Sequence, residues 1–462
     1  MHLAPMEIET SLGRALLIGF GVEDDRSLQT QLIVIRNYTL NNLRITLDRF
    51  LSDHRPILLR ESVHDYGPVP FRFFHHWIHL EGFNDFVTST WNSAPSVDSN
   101  GMRNLAGKLK FLKAHIKIWI KDNKSETVST IANLKKELNQ LDAVIDKGTG
   151  TEVEAEKRME VLAALRNIDH IHSMDLAQKA KIKWSIEGDE NSNFFHGILN
   201  KKRNQMNIRG ITIDGVWKEQ PNDVKQEFLS HFQDRFAKPS ERRANIDMRF
   251  PKTISEDQSQ DLEREVSKQE IKTAVWGCGT DKSPGPDGFS FGFYRHFWPV
   301  IEHDVYMAVN HFFIHGEIPP GCNSSFIALI PKVPDANLVK DFRPISLIGS
   351  IYKIIAKILS NQLVNVLGDI VNEVQSAFIA ERQMLDGPFI LNEILQWCTK
   401  KKKKTLIFKV DFEKAFDSIR WDFLDDVLKE FGFRCKWRNW IQSCLTSSKG
   451  PILVNGCPTN EF

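Results

Sequence analysis

Asp411 ends an apolar run, Leu406-Ile407-Phe408-Lys409-Val410, and Phe412, Phe416, Ile419, Phe423, Val427 and Leu428 then recur at helical spacing. The run predicts a short buried strand from Thr405 to Val410, and the recurrence predicts a helix after it. A carboxylate at such a junction is held by rigid backbone and faces the crevice at the strand's carboxyl end. There its oxygens can bind a hard cation such as Mg2+. The same position suits Asp as a helix N-cap, accepting from an amide of the first turn. Residue type and spacing leave both readings open.

Other elements carry cations. Phe326 to Lys332 predicts a strand ending in a lysine, and Asp341 to Leu347 a second strand presenting Arg343. A guanidinium can grip a phosphate bidentately and an ammonium offers a compact point charge. Both residues would serve equally as surface ion-pair partners. Between Asp281 and Phe289, Pro284, Gly285, Pro286 and Gly288 dictate a turn-rich loop. Ile351 to Leu367 predicts an amphipathic helix. Lys400 to Lys404 reads as a solvated lysine run, with nuclear import or phosphate contact as the alternative.

Upstream, the apolar runs at 15–18, 31–35, 43–51 and 56–59 predict strands of a β-rich layer. From about 105 to 200 the pattern turns helical. Ile131, Leu134, Leu138, Leu141 and Ile145 form one stripe, residues 148–151 break it, and Val153, Met159, Leu162 and Leu165 form another, which predicts an antiparallel helical hairpin. Ile211 to Trp217 predicts a β-hairpin turning at Asp214-Gly215. Residues 237–256 are charged and poor in apolar groups, as in a linker.

With 462 residues the chain can hold two or three domains. Its net charge is only +1, so nucleic-acid binding would have to rest on local basic patches. The cysteines Cys278, Cys322, Cys398, Cys435, Cys444 and Cys457 lack a Cys-x-x-Cys pair, which argues for free thiols and against a structural zinc. No apolar run approaches membrane-spanning length and the first residues do not form a signal peptide, so an intracellular protein, in nucleus or cytoplasm, is expected.

Phe408-Lys409-Val410-Asp411-Phe412-Glu413-Lys414-Ala415-Phe416-Asp417 resembles the first catalytic-aspartate motif of reverse transcriptases from non-LTR, LINE-type retrotransposons, especially the plant type. Asp281 to Phe289 resembles the entry motif of the same enzymes. The two predicted strands resemble their finger motifs, Val374 to Ile379 with Arg382 their template-holding region, and Ser447 to Asn455 a later lead-in. The resemblance implies that Asp411 binds metal with help from the Phe412 carbonyl. It also implies that Lys332 and Arg343 hold the incoming triphosphate and that Phe416 excludes a ribose 2′-hydroxyl. RNA template, DNA primer, dNTP and Mg2+ (Mn2+ as substitute) are the partners so implied.

Leu47 to Leu51 followed by Ser52 to Ile57 resembles the carboxyl-terminal motifs of the exonuclease-endonuclease-phosphatase fold, with Asp48, Asp53 and His54 as its residues. Only Arg49, Phe50 and Leu51 separate Asp48 from the Ser-Asp-His motif, so a remnant is expected there. The stretch from Gln178 to His196 resembles the connector between the two enzymes. The expected architecture is α+β and multidomain: an endonuclease remnant (1–93), a helical connector (94–236), a linker (237–256), and an incomplete right-hand polymerase, fingers and start of palm (257–462). The family's Ala-Asp-Asp motif is not found before Phe462, so a chain inactive on its own is expected, with non-catalytic nucleic-acid binding or an unselected remnant as the alternative.

Overall fold

The computed structural model describes residues 6–10, 13–17, 42–46, 57–61, 65–96, 98–180, 205–237, 243, 245–376, 379, 381–383, 385–410 and 419–462. The first strands, β1 (Met6–Thr10), β2 (Gly13–Leu17), β3 (Asn42–Thr46) and β4 (Ile57–Glu61), form an antiparallel sheet in the order β1-β2-β4-β3. Its register pairs Met6 with Leu17, Ala15 with Arg60 and Thr46 with Ile57. Three of these strands overlap predicted runs, whereas β1 was not anticipated and 31–35 lies outside the described residues.

Helix α1 (Phe83–Ser93) precedes two long helices, α2 (Gly101–Asp146) and α3 (Glu152–Ala180). Asn100 caps α2, its side chain accepting from the Met102 amide at 3.0 Å and the Arg103 amide at 3.2 Å. Met102, Leu105, Leu109, Leu112 and Ile116, spaced by three and four, bury the first part of α2. Beyond Ile116 the helix continues into the predicted hairpin. Ion pairs Lys157–Glu137 at 2.9 Å and Arg158–Asp142 at 2.6 Å cross between its antiparallel arms. The α3 seam differs from the predicted one, because Val153 and Met159 are exposed and Val161 is buried. A period near 3.5 from Val161 runs through Leu165 and Ile168, and Val153 and Met159 fall off it.

The hairpin at β5 (Ile211–Ile213) and β6 (Val216–Lys218) turns as predicted. Asp214 and Gly215 take φ of 49° and 79°, the left-handed pair that a two-residue hairpin requires. Helix α4 (Pro221–Phe236) follows. The expected linker is irregular where described, but its end is docked, with the Ile254 amide donating to the Phe431 carbonyl at 3.0 Å. Capping boxes at Ser255/Gln258 and Ser267/Glu270 start α5 (Glu256–Leu262) and α6 (Lys268–Gly277). Then come α7 (Phe291–His296), α8 (Trp298–His315), β7 (Ser325–Pro331), β8 (Phe342–Ile348), α9 (Ser350–Ile370), α10 (Asp386–Lys400), α11 (Trp421–Glu430), α12 (Cys435–Thr446), β9 (Ile452–Val454) and β10 (Cys457–Pro458).

Two cores hold these elements. The larger joins Phe73, Trp77, Phe83, Val87 and Trp91 to α2, α6, α8, α9 and α12 through Ile301, Val305, Phe312, Ile354, Ile358 and Trp440, among others. Residues 73–91, placed by sequence at the end of the first domain, therefore share a core with the polymerase-like segment. The smaller core lies under a four-stranded sheet of order β10-β9-β7-β8. In it Ile327, Leu329 and Phe342 pack with Val224, Phe228 and Phe232 of α4 and with Ile452 and Val454.

One predicted strand is absent. Residues 405–410 have no strand pairing, and Leu406 and Phe408 are 91% and 84% exposed. Apolar β-formers form a strand only when a neighbouring backbone takes up their amides and carbonyls, and no such neighbour lies beside them among the described residues. The helix expected from Phe412 is described from Trp421, because Arg420 has extended backbone at φ −70° and ψ 133°. Ile419 is thus outside α11.

Candidate functional site

Alternation along the β7–β8 hairpin decides where its cations go. β7 and β8 are antiparallel, with Ile330 opposite Arg343 and Pro331 opposite Phe342. Directly opposed residues share a face, and the next pair along occupies the other. The Lys332 amide donates to the Asp341 carbonyl at 2.7 Å, which extends the pairing one step and sets Lys332 opposite Asp341. Lys332 and Arg343 are therefore two positions apart on one face. The smaller core occupies the opposite face through Ile327, Leu329 and Phe342, so the hairpin cannot turn over without exposing them.

Arg343 is exposed, and Ile345 beside it is partly exposed on the same open face. Lys332 is tethered, its ammonium donating to the Lys340 carbonyl at 2.5 Å. The turn that carries it is fixed by Asp341, whose carboxylate accepts from the Leu338 amide at 3.0 Å. The two cations predicted to hold a triphosphate are thus brought together. Arg343 offers a fork of donors, and Lys332 supplies charge at the rim.

Asp287 had no role assigned from sequence. It lies in the Pro-Gly loop and accepts from the Ser350 amide at 2.6 Å, from the Ser350 hydroxyl, and from the Phe289 amide at 3.3 Å. Gly349, the N-cap of α9, has no side chain to satisfy that helix start, so a carboxylate distant in sequence does so. Burial raises the Asp287 pKa, and the hydrogen bonds from Ser350 oppose the rise. The Tyr294 hydroxyl joins the same cluster through Ser350. A Cβ on Gly285 would collide with the Ile348 carbonyl, so only glycine lets the loop lie this close to the end of β8. From the other side the Phe73 amide donates to the Gly288 carbonyl at 2.8 Å, and Phe71 packs on Gly288. The loop therefore clamps the corner where the strand carrying Arg343 becomes α9.

The lead-in segment is equally anchored. Asn455 and Gly456, at φ of 51° and 83°, turn β9 into β10. The Asn455 side chain accepts from the Ile208 amide at 2.8 Å and donates to the Ile208 carbonyl at 2.9 Å. Arg382 is taken up by backbone, donating to Asn372 and Gln375 carbonyls at 2.6 and 2.8 Å. Asp425 and Asp426 of α11 are both engaged by arginines. Arg438 bonds Asp425 at 2.9 and 2.8 Å, and Arg243 pairs with Asp426 at 2.6 Å. Lys403 stacks over Trp397, 4.5 Å from its ring centroid, on an exposed surface that fits the solvated reading of the lysine run.

Asp411, Phe412 and Phe416, and the endonuclease-like Asp48, Asp53 and His54, lie outside the described residues. Among the described residues no group of three or more His, Cys, Asp or Glu is placed to hold a metal ion. No described helix is long and apolar enough to cross a membrane.

Residues 330–461 match the family model for Reverse transcriptase (RNA-dependent DNA polymerase). The match begins at the end of β7 and takes in Lys332 and Arg343, whereas the Pro-Gly loop that clamps the β8–α9 corner precedes it. The chain is 25% identical over 421 residues to the transposon TX1 uncharacterized 149 kDa protein of Xenopus laevis, covering 87% of this chain and 31% of that protein. It is 28% identical over 195 residues to the retrovirus-related Pol polyprotein from type-1 retrotransposable element R2 of Nasonia vitripennis, covering 42% of this chain and 18% of that protein. The corresponding polyprotein from type-1 retrotransposable element R1 of Bradysia coprophila is 23% identical over 271 residues, covering 56% of this chain and 26% of that protein. The chain spans less than a third of the length of each of these relatives. It thus carries reverse transcriptase sequence and is similar to retroelement proteins.

Proposed function

We propose that this chain is part of the polyprotein of a non-LTR retrotransposon of plant type, and that residues 257–462 supply the fingers and the start of the palm of an RNA-directed DNA polymerase. The observation that carries the reading is the shared open face of Lys332 and Arg343, inside the reverse transcriptase match. Arg343 binds the triphosphate of an incoming dNTP bidentately, and Lys332 adds charge beside it. Asp411, with the Phe412 carbonyl, would hold Mg2+ or Mn2+, and a divalent ion bound there stabilises the charge of phosphoryl transfer. Phe416 would meet a ribose 2′-hydroxyl and so favour dNTP. RNA template and DNA primer are the macromolecular partners, and the nucleus or cytoplasm is the place of action. Asp48, Asp53 and His54 belong to an endonuclease-like remnant in the same reading.

The test is a titration of the purified chain with a fluorescent dNTP in Mg2+. Arg343→Ala is expected to weaken binding about tenfold or more, since a hydrogen bond to a charged group contributes about 1.5–3 kcal/mol. Arg343→Lys should recover only part of the loss, and Asp411→Ala should remove the Mg2+ dependence. Equal affinities for wild type and Arg343→Ala would refute the nucleotide-site assignment.

A further inference from the structure

The part of α2 packed against the body carries an unusual charge pattern. From Gly101 to Lys121 it contains Arg103, Lys108, Lys110, Lys113, Lys117 and Lys121 and no acidic residue. At 100° per residue, Arg103, Lys110, Lys113, Lys117, Lys121 and also Lys124 fall within a sector of about 80°, and Lys108 lies opposite. Lys108 is consumed by Asp304 at 2.9 Å, and Arg103 is 3.6 Å from Asp98. Lys110, Lys117, Lys121 and Lys124 are exposed. Lys113 sits at the edge of the buried face, donating to the Pro286 carbonyl at 3.3 Å and lying 6.0 Å from the Phe71 ring centroid. The stripe therefore runs along α2 and meets the Pro-Gly loop at Lys113.

We infer that this lysine face of α2 is a track for the phosphate backbone of a single-stranded RNA, passing the Pro-Gly loop that clamps the β8–α9 corner. The inference rests on the reading that the chain binds a template. Charge complementarity points to this occupant. Neighbouring lysines one turn apart stand about 5–6 Å from each other, a ladder of point charges suited to a polyanion. Lys110 to Lys121 spans about 16 Å of helix, enough for several phosphates. Among the described residues the carboxylate bearing on Lys113 is that of Asp287, which is committed to Ser350. Burial lowers the Lys113 pKa, Asp287 opposes the fall, and Lys117 and Lys110 add to it, as expected where like charges crowd one face. The net charge of +1 leaves no global field to do this work.

The experiment uses the full chain and a fluorescent single-stranded RNA, with affinity measured across a salt series. The variant combines Lys110→Gln, Lys117→Gln and Lys121→Gln, all at exposed positions. The charge-matched control combines Lys135→Gln, Lys136→Gln and Lys147→Gln on the far part of the helical hairpin. Each phosphate contact contributes about 0.7 to the slope of log K against log salt, so the variant should flatten the slope by about 2 and weaken binding about tenfold or more near 0.1 M salt. The control should match wild type, and all three proteins should share one thermal midpoint. Binding equal in variant and wild type, or an equal loss in the control, overturns the inference while leaving the polymerase reading intact. Failure of the wild-type chain to bind RNA at all overturns both.

Discussion

The β7–β8 hairpin and the stretch from α10 to Val410 are both rich in Ile, Leu and Phe, yet they end in opposite states. The hairpin buries Ile327, Leu329 and Phe342 under α4 and β9. In the other stretch α10 buries no residue, with Phe389, Ile394 and Trp397 partly exposed, and Leu406 and Phe408 are among the most exposed apolar side chains described. Local sequence chemistry is similar in the two. What differs is the neighbour: β7 has β8 on one side and β9 on the other, and α4 beneath. Hydrophobic pattern determines which face is apolar, and a partner determines whether that face is buried.

The largest effect that would break this comparison comes from paired truncations. Leu329→Ala or Ile452→Ala should lower stability by about 2–5 kcal/mol through lost burial and a residual cavity. Phe408→Ser should stay within about 0.5 kcal/mol of wild type, since it removes no packing. Urea unfolding checks both, and a Phe408→Ser loss as large as that of Leu329→Ala would show that 405–410 is packed in solution.

A middle-sized effect sharpens the account of the hairpin. Asp287→Ala strands the Ser350 amide and hydroxyl at the start of α9 and should cost about 1–3 kcal/mol. Asp287→Asn keeps one acceptor and loses the buried charge, so it should cost less. A thermal melt that ranks the two the other way would remove Asp287 as the brace of the β8–α9 corner.

The smallest effect concerns Arg264 and Glu270 at the exposed capping box of α6. Burial works against the Glu270 carboxylate, but the Arg264 guanidinium at 2.7 and 2.8 Å and the Ser267 donors hold its pKa down to about 2. Its contribution to stability is therefore full above the ordinary carboxyl range and is lost as the pH falls from about 4.5 towards 2. Arg264 is largely open to solvent, so screening keeps the contribution under about 1 kcal/mol. Glu270→Gln should make the thermal midpoint less sensitive to pH over that window, and an unchanged slope would remove the pair from the acid response.

Sequence alone determined the elements whose signals are local. The Asp214-Gly215 turn, the β7 and β8 runs, the helix after Gly349 and the hairpin broken at residues 148–151 were all readable, because turn residues and periodicity act within a few positions. The identities of Lys332 and Arg343 were also readable, as a lysine ending one predicted strand and an arginine presented by the next. Only the tertiary structure decided that those two share a face, since register is set by the core beneath the sheet and not by either strand. Only it revealed that Asp287 starts a helix 63 positions away, that Asn455 pins Ile208, and that residues 73–91 share the core of the polymerase-like segment. It also withdrew the strand at 405–410. Each of these depends on contacts between distant segments, where the free energy comes from desolvating two surfaces together, and one surface's sequence does not name the other.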